Sequence, residues 1–405
     1  MSLPSTTDFL IIGGGVMGLA LALETRRLYP LSTIVVLEKE SQCGLHASGR
    51  NSGVLHAGFY YTADSLKARF SQEGNQWWQN YCKEQKLPLN SCGKLVVARH
   101  EGELAGLDEL KRRGDANGVP LEMVSAEEAR RLEPRVKTCQ RALFSPTTAS
   151  LDPKMAMTRL VRDASREGII LATRTSFLSR QQDQVTTNRG KITAGYVINA
   201  AGLYADQIAR AYGFANEYTI LPFKGLYLYG REGCPPLNLH IYPVPDLANP
   251  FLGVHFTVTM MGGVKIGPTA IPAFWRQHYR GMENFNLQEA ITILGLQAAL
   301  FWRNDFNFRR LAMQELAKQS RGQMIKLAKD LLEGVYKMDF PVWGLPGLRA
   351  QLFNLESNKL EMDFRYQGDR HSFHVLNAVS PGFTCAFPFA KFLLQQVTEV
   401  SGIRP

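Results

Sequence analysis

The most informative absences in this 405-residue sequence concern paired cysteines and runs of positive charge. None of the six cysteines forms a CxxC pair or lies near histidine at metal-ligand spacing, so the sequence predicts no metal site. The net charge is +10, yet no run of Lys and Arg and no nucleic-acid motif occurs, which argues against a nucleic-acid partner. A basic surface still suits an anionic substrate or an anionic lipid.

Long apolar segments are also absent. Residues 9–23 are apolar, but they contain four glycines and no positive charge precedes them, so they do not have the pattern of a secretory signal. No other segment approaches the ~20 apolar residues that span a bilayer. We therefore expect a cytoplasmic protein, with a peripheral contact on the inner face of the membrane left open.

The first positive signal is a glycine-rich turn. Residues 8–40 predict a strand, a turn, a helix and a second strand, which ends at Glu38. Gly13 permits a tight turn, Gly15 lets a pyrophosphate approach the backbone, and Gly18 permits close packing of helix and strand. The helix N-terminus offers N–H groups to phosphates, and Glu38 can accept hydrogen bonds from a ribose. The predicted dinucleotide contacts here are Gly13, Gly15, Val16, Met17, Gly18, Glu38 and Lys39.

Three further segments favour FAD as that dinucleotide. A polar loop at 48–53 can run beside the pyrophosphate, and a second glycine turn at 199–202 lets a cofactor lie against the backbone. The segment 380–384 precedes the last helix, whose N-terminus can stabilise negative charge on a reduced flavin. No residue requires a covalent link, so we expect non-covalent FAD. The predicted contacts are Ser48, Gly49, Arg50, Asn51, Ser52, Gly53, Thr175, Ala200, Ala201, Gly202, Ser380, Gly382, Phe383 and Thr384.

Longer segments are similar to those of one enzyme family. They are GRNSGVLHAGFYYT (49–62), PFKG (222–225), HIYPVPD (240–246), FLGVHFT (251–257), VKIGPTA (264–270) and GLRAQ (347–351). In them the chain resembles the L-2-hydroxyglutarate dehydrogenase/oxidase family, part of the D-amino-acid-oxidase-like group of FAD enzymes. The resemblance implies oxidation of L-2-hydroxyglutarate to 2-oxoglutarate, with hydride transfer to flavin N5 and electrons passed to quinone or oxygen.

The order of predicted elements and this resemblance together predict a mixed α/β fold. A Rossmann-like FAD-binding domain of the glutathione-reductase/D-amino-acid-oxidase type should carry an inserted antiparallel sheet that forms a substrate domain. We place the FAD-binding parts at 8–80, 151–220 and 341–400, and the substrate parts at 81–150 and 221–340.

The implied reaction needs a base for the hydroxyl proton and cations or phenols for the carboxylates. His56 and His255 are the candidate bases, and the motif around His56 narrowly favours it. Lys224 is a candidate for binding a carboxylate or tuning the flavin, and Arg349 for a bidentate carboxylate clamp. Candidates for holding the second carboxylate are Tyr60, Tyr61 and Tyr242.

Two other functions stay open. An amine or amino-acid oxidase of the same fold, acting on glycine or a D-amino acid, often needs only one carboxylate clamp, whereas Lys224 and Arg349 together favour a doubly anionic substrate. A non-enzymatic flavin-binding protein should have lost the polar residues near the flavin, and they are present here.

One basic, amphipathic stretch bears on the electron acceptor. Residues 311–332 are predicted to form a helical stretch that either covers the domain core or lies in a membrane interface. Membrane contact would suit a quinone as the electron acceptor.

Overall fold

The structure is a computed structural model, and it describes residues 3–247 and 251–403. The α-helices of this part of the chain are α1 (Val16–Leu28), α2 (Leu66–Glu84), α3 (Leu104–Ala116), α4 (Ala126–Leu132), α5 (Pro153–Arg166), α6 (Ala205–Ala211), α7 (Leu287–Arg303), α8 (Phe308–Ala317), α9 (Arg321–Ala328) and α10 (Gly382–Ser401).

The strands are β1 (Thr6–Ile12), β2 (Ile34–Leu37), β3 (Val54–Leu55), β4 (Lys94–Val97), β5 (Glu122–Ser125), β6 (Arg141–Ser145), β7 (Ala149–Ser150), β8 (Ile170–Ala172), β9 (Phe177–Gln181), β10 (Gln184–Thr187), β11 (Gly190–Asn199), β12 (Tyr218–Gly225), β13 (Leu228–Tyr229), β14 (His240–Pro243), β15 (His255–Val258), β16 (Val264–Gly267), β17 (Ile271–Pro272), β18 (Val342–Trp343), β19 (Gly347–Asn354), β20 (Lys359–Leu360), β21 (Arg365–Gly368) and β22 (Ser372–Asn377).

The chain divides into two compact units. The first contains residues up to Asn51, 153–222 and 349 onward, and the second contains 52–152 and 223–348. The first unit is built on a sheet in the order β21-β22-β11-β1-β2-β8, in which β1 lies parallel to both β2 and β11. Helices α5 and α10 pack against α1, and the apolar residues of β1 and β2 are buried. Strands buried in this way read as continuous apolar runs, because both faces of a parallel sheet are covered.

The second unit is built on a sheet in the order β18-β13-β16-β15-β14-β4-β6-β5. Its neighbouring strands are antiparallel except β4 and β14, which pair in parallel register with Lys94 opposite His240. The parallel βαβ sheet and the separate, largely antiparallel sheet confirm the predicted mixed α/β class. The pairing of β4 with β14 also brings together residues that are distant in sequence, because it places Lys94, the first residue of β4, opposite His240.

The predicted helical stretch 311–332 is not one continuous helix. It divides into α8 and α9, with a turn after Ala317 and with Ser320 at the N-cap of α9. Most of its apolar side chains are buried, including Leu311, Ile325 and Leu331. The stretch therefore mainly covers the core of the second unit.

Candidate functional site

The glycine turn between β1 and α1 has no room for side chains. Gly13 adopts φ +116°, and a Cβ built on it would lie 2.5 Å from the carbonyl oxygen of Ala200. A Cβ on Gly18 would overlap the carbonyl oxygen of Gly13. The Gly13 N–H donates to the Leu37 carbonyl at 2.8 Å, which fixes the turn at the end of β2. Turn, helix and strand therefore pack as a dinucleotide-binding unit requires.

Helix α1 begins next to the predicted polar loop. Gly15 is its N-cap and supplies no side chain, while the Oγ of Ser48 accepts a hydrogen bond from the Val16 N–H at 2.9 Å. Gly49 has no room for a side chain, because a Cβ there would overlap the carbonyl oxygen of Gly44. The loop is therefore seated on the positive end of α1, where a pyrophosphate binds in this type of unit. Met17 lies in the first turn and is buried.

Glu38 directly follows β2, and its side chain contacts the glycine turn. Its carboxylate accepts hydrogen bonds from the N–H groups of Gly14 at 2.9 Å and Glu40 at 2.8 Å. Burial raises the pKa of Glu38, and the two backbone donors oppose that shift. Because a carboxylate has about four acceptor positions, it can still accept from ribose hydroxyls. Thr175 lies beside it, donating its backbone N–H to the Glu38 carbonyl at 2.9 Å.

The rest of the predicted loop is held by its own hydrogen bonds. Arg50 Nε donates to the Leu45 carbonyl at 2.8 Å, and Asn51 Nδ2 donates to the Ser48 carbonyl at 2.7 Å. In the second unit, Ser52 Oγ accepts from the Val54 N–H at 3.2 Å, and Gly53 adopts φ +77°. The polar side chains of this loop thus stabilise its conformation, whether or not they also contact a cofactor.

The second glycine turn also lies against β1. Ala200 donates its N–H to the Ile12 carbonyl at 2.9 Å, and Ala201 donates to Asn199 Oδ1 at 3.1 Å. Gly202 adopts φ +54°, with no atom within 4 Å of a Cβ built on it. Small residues here keep the backbone accessible beside the first turn, which fits a cofactor lying across both.

The last predicted cofactor segment forms the start of α10. Ser380 is exposed and Pro381 is the N-cap, so Gly382, Phe383 and Thr384 occupy the first helical turn. The helix begins three residues earlier than the sequence suggested, and Pro381 gives it no side-chain cap. A helix of 20 residues places partial positive charge at this end.

Glu40 and His46 lie next to the dinucleotide unit, and neither is among the cofactor contacts predicted from the sequence. Glu40 accepts from Lys39 Nζ at 2.5 Å and contacts His46 Nε2 at 2.8 Å. Although burial opposes the shift, these two bonds lower the pKa of Glu40. Lys39 also lies over the ring of Tyr204, 5.4 Å from its centroid. Lys39 is therefore held by an ion pair, which no spacing rule in the sequence signals.

Most of the predicted substrate residues of the second unit meet in one buried cluster. The ring of Tyr242, on β14, stacks on the ring of His255, on β15, with centroids 3.7 Å apart and planes 17° apart. His255 Nδ1 lies 2.8 Å from the carbonyl oxygen of Gly253. Because a carbonyl can only accept, Nδ1 carries the proton and Nε2 keeps a lone pair. Burial lowers the pKa of His255, and nearby His56 and Lys94 lower it further.

His56 and Tyr60 belong to the same cluster. Burial, and then the charge of Lys94, lowers the pKa of His56 to about 3, so its imidazole is neutral at physiological pH. Burial also raises the pKa of Tyr60 well above its ordinary value, with smaller contributions from Tyr242 and Tyr61. Tyr61 is half-buried at the edge of the cluster. The cluster therefore presents neutral imidazoles and phenols beside a cation.

Lys94 was not predicted as a site residue, although it lies among those that were. Its Nζ lies 4.5, 4.6 and 4.9 Å from the ring centroids of Phe59, Tyr60 and Tyr242. The pairing of β4 with β14 brings it there, and one sequence contains no signal of that register. His240, opposite Lys94, accepts from the Val258 N–H at Nδ1, which assigns it a structural role.

The two remaining predicted cations, Lys224 and Arg349, are both half-buried. Lys224, on β12, is half-buried, and burial lowers its pKa to about 8. Its carbonyl accepts from Thr269 Oγ1 at 2.9 Å. Arg349 is a half-buried residue of β19 in the first unit. A guanidinium in that setting can bind a carboxylate through two parallel hydrogen bonds.

Comparisons with known proteins agree with this geometry. Residues 8–396 match the protein family described as FAD dependent oxidoreductase. The L-2-hydroxyglutarate dehydrogenase of Escherichia coli (strain K12) is 33% identical over 406 residues, which cover 96% of this chain and 93% of that protein. The mitochondrial L-2-hydroxyglutarate dehydrogenase of Homo sapiens is 31% identical, covering 98% of this chain and 89% of that protein.

Solved structures share the fold at lower identity. L-alpha-glycerophosphate oxidase from Mycoplasma pneumoniae with FAD bound aligns with a TM-score of 0.78 and 23% identity, covering 99% of this chain and 96% of that one. Glycine oxidase from Geobacillus kaustophilus aligns with a TM-score of 0.71 and 18% identity, covering 98% and 95%. The glycine turn, the Glu38 carboxylate and the start of α10 remain the FAD contacts predicted from the sequence.

Proposed function

The chain belongs to the FAD dependent oxidoreductase family, and from that membership we propose that it oxidises L-2-hydroxyglutarate to 2-oxoglutarate. Near-full-length similarity to L-2-hydroxyglutarate dehydrogenases supports this substrate. The observation that carries the proposal is the fixed tautomer of His255, whose Nδ1 is bound to the Gly253 carbonyl. Oxidation of an alcohol needs a base of this kind, with a lone pair on its other nitrogen.

The proton and the hydride leave the substrate by separate routes. We assign removal of the hydroxyl proton to the Nε2 lone pair of His255, with His56 as the alternative base. Bound FAD supplies the acceptor for the hydride that leaves the hydroxyl-bearing carbon. Because burial keeps both imidazoles neutral, either can accept the proton without first losing one.

The two carboxylates of the substrate require positive charge or phenolic donors. Arg349 is the proposed bidentate clamp for one carboxylate, and Lys224 is the proposed cation that either attracts the other carboxylate or tunes the flavin. Tyr61 and Tyr242 are the proposed neutral donors. An amine substrate would need no such base for a hydroxyl proton, which is why the fixed lone pair of His255 favours a hydroxy acid over an amino acid.

Turnover with a dye acceptor tests the proposed reaction. Purified holoenzyme should convert L-2-hydroxyglutarate to 2-oxoglutarate, identified by mass spectrometry, and should leave D-2-hydroxyglutarate, glycine and D-alanine unchanged. Conversion of glycine or a D-amino acid to a 2-oxo acid, without conversion of L-2-hydroxyglutarate, would replace this function with that of an amino-acid oxidase.

We further propose that electrons pass to a quinone at an anionic membrane surface. Within residues 3–247 and 251–403 no helix is long and apolar enough to cross a bilayer. Helix α7, however, exposes one apolar face and buries the other. The exposed face comprises Leu287 (64% exposed), Ile291 (65%), Leu294 (44%), Phe301 (43%) and Trp302 (82%).

Positive charge accompanies this apolar face of α7. Arg303 ends the helix and forms an ion pair with Asp305 at 2.8 Å. Arg309 donates from Nε to the Phe301 carbonyl at 2.8 Å and from a terminal nitrogen to the Trp302 carbonyl at 3.1 Å, and supplies the positive charge beside the apolar face. Apolar side chains beside arginines, in a chain of net charge +10, suit insertion among anionic headgroups. Oxygen is the alternative acceptor, and it needs no such surface.

A further inference from the structure

Lys94 is a fully buried lysine at the start of β4. Its side chain has no exposed surface, and Nζ has no hydrogen-bond acceptor among residues 3–247 and 251–403. Three aromatic rings, those of Phe59, Tyr60 and Tyr242, lie within 5 Å of it. Ring faces attract an ammonium, but they replace only part of the hydration that burial removes.

The Tyr60 hydroxyl belongs to the same cluster as Lys94. Tyr60 is 7% exposed, and its Oη has no hydrogen-bonding partner in the described part of the chain. Its ring lies 4.6 Å from Lys94 Nζ. Buried polar atoms are nearly always paired, so two unpaired donors side by side call for an explanation.

We propose that the Lys94 ammonium and the Tyr60 hydroxyl form a subsite for one carboxylate of the substrate. This rests on the proposed function, because it requires an anionic substrate. A carboxylate has two oxygens that only accept, so it can satisfy both donors at once. One positive charge matches one carboxylate, and the surrounding rings exclude water that would compete for both groups.

No acidic group competes for this cation in the described residues. The charged and titratable groups around the cluster are His56, Tyr60, Tyr61, Lys67, Cys92, Asp152, Tyr227, His240, Tyr242, His255 and Lys265. Burial lowers the pKa of Lys265 and Asp152, the carboxylate among these groups, opposes that shift, whereas burial alone shifts the pKa of Lys94. Lys265 differs from Lys94, since its Nζ donates to the Ser52 carbonyl at 2.7 Å. Lys94 is thus the lysine of this cluster whose charge is left for a ligand. Since Nζ is enclosed, binding requires a ring to move, and the half-buried Tyr61 lies at the cluster edge.

The subsite couples binding to proton uptake. Burial lowers the pKa of Lys94 to about 7, so above that pH much of the free protein carries a neutral amine there. A bound carboxylate favours the ammonium and raises that pKa, so binding above pH 7 takes up a proton. Affinity should therefore be greatest below about pH 7 and fall as the pH rises through that value.

Calorimetric titration of the holoenzyme with glutarate, a dicarboxylate that cannot be oxidised at a hydroxyl, tests the subsite. Measurements at pH 8 in two buffers of different ionisation enthalpy give the number of protons taken up. The wild-type chain should take up a substantial fraction of one proton. Lys94→Met should take up none and bind glutarate at least tenfold more weakly, while Lys265→Met, which removes a paired buried lysine, should keep the uptake.

Tyr60→Phe provides a second variant in case Lys94→Met does not fold. It removes one donor and keeps the ring, so it should weaken glutarate binding about fivefold or more while proton uptake persists, because one neutral hydrogen bond is worth about 1 kcal/mol. Equal glutarate affinity and equal proton uptake in wild type and Lys94→Met would overturn the subsite. If L-2-hydroxyglutarate still reduces the wild-type flavin in that case, the proposed function stands and only the subsite fails.

Discussion

The ring of Tyr242 lies nearly parallel to the ring of His255, with the two centroids 3.7 Å apart. This contact and the bond from Nδ1 to the Gly253 carbonyl hold the imidazole from two directions. As the proposed base, an imidazole held in this way would need no reorganisation when a substrate hydroxyl arrives, and preorganisation of that kind is a large part of catalytic power.

Replacing His255 with Asn should therefore impair catalysis more than binding. The Asn amide keeps an N–H donor but removes the basic nitrogen, so kcat should fall by about 10²- to 10⁴-fold, the usual worth of a general base. Steady-state kinetics with L-2-hydroxyglutarate measures this loss. His56→Asn is the matched comparison, and a larger loss in that variant would make His56 the base.

The pH profile provides an independent test of the same site. Burial lowers the pKa of His255 below the ordinary histidine value, and that of His56 to about 3. A group whose pKa is depressed stays deprotonated as the pH falls, so the base form is already present at pH 6.5. We expect kcat/KM not to decline as the pH falls from 7.5 to 6.5, while protonation of Lys94 over the same range raises it. A fall of kcat/KM by half near pH 6.5 would show that the base is a histidine with an ordinary pKa.

Arg349→Lys should separate substrate binding from cofactor binding. Lysine keeps the charge but loses the two parallel donors of the guanidinium, so KM for L-2-hydroxyglutarate should rise about tenfold or more. FAD content, measured from the visible absorbance of the purified protein, should not change. Unchanged kinetics would show that Arg349 has a structural role in β19 only.

The tight turn at Gly13 predicts a specific loss of cofactor. Alanine there must adopt φ +116° and place Cβ against the Ala200 carbonyl, which should prevent FAD binding. Gly190 is a matched control, because it has φ +122° but no atom within 4 Å of a built Cβ. Both alanine variants should lower the melting temperature, since each strains the backbone by about 1–3 kcal/mol. Gly13→Ala alone should purify without FAD.

The exposed face of α7 predicts binding to anionic lipid. The wild-type chain should sediment with vesicles that contain phosphatidylglycerol and much less with neutral vesicles, and added salt should weaken binding. The double variant Ile291→Glu with Trp302→Glu should stay in the supernatant. Leu31→Glu with Leu178→Glu, at exposed apolar residues (98% and 59% exposed), controls for two added negative charges elsewhere. Equal sedimentation of wild type and the double variant would exclude α7 as the contact.

The dinucleotide unit could be predicted from sequence because its signals are local. Gly13, Gly18 and Glu38 lie within one βαβ unit, and each spacing has a direct geometric meaning. The glycine turn at Gly202 could be recognised for the same reason. The mixed α/β class followed from the alternation of apolar strands and helices before the β-rich middle of the chain.

The buried cluster could be predicted only in part. His56, Tyr242 and His255 were expected at a site, but Lys94 was not, because strand register alone brings β4 beside β14. The division of 311–332 into two helices was also missed. Its apolar spacing continues across the turn before Ser320, and periodicity alone does not show where a helix stops.

Anaerobic titration of the oxidised holoenzyme with L-2-hydroxyglutarate tests the central claim most directly. The visible absorbance of the flavin should bleach in proportion to added substrate, with one 2-oxoglutarate formed per flavin reduced, and D-2-hydroxyglutarate should leave the spectrum unchanged. Bleaching by glycine or a D-amino acid, with no response to L-2-hydroxyglutarate, would contradict the proposed function.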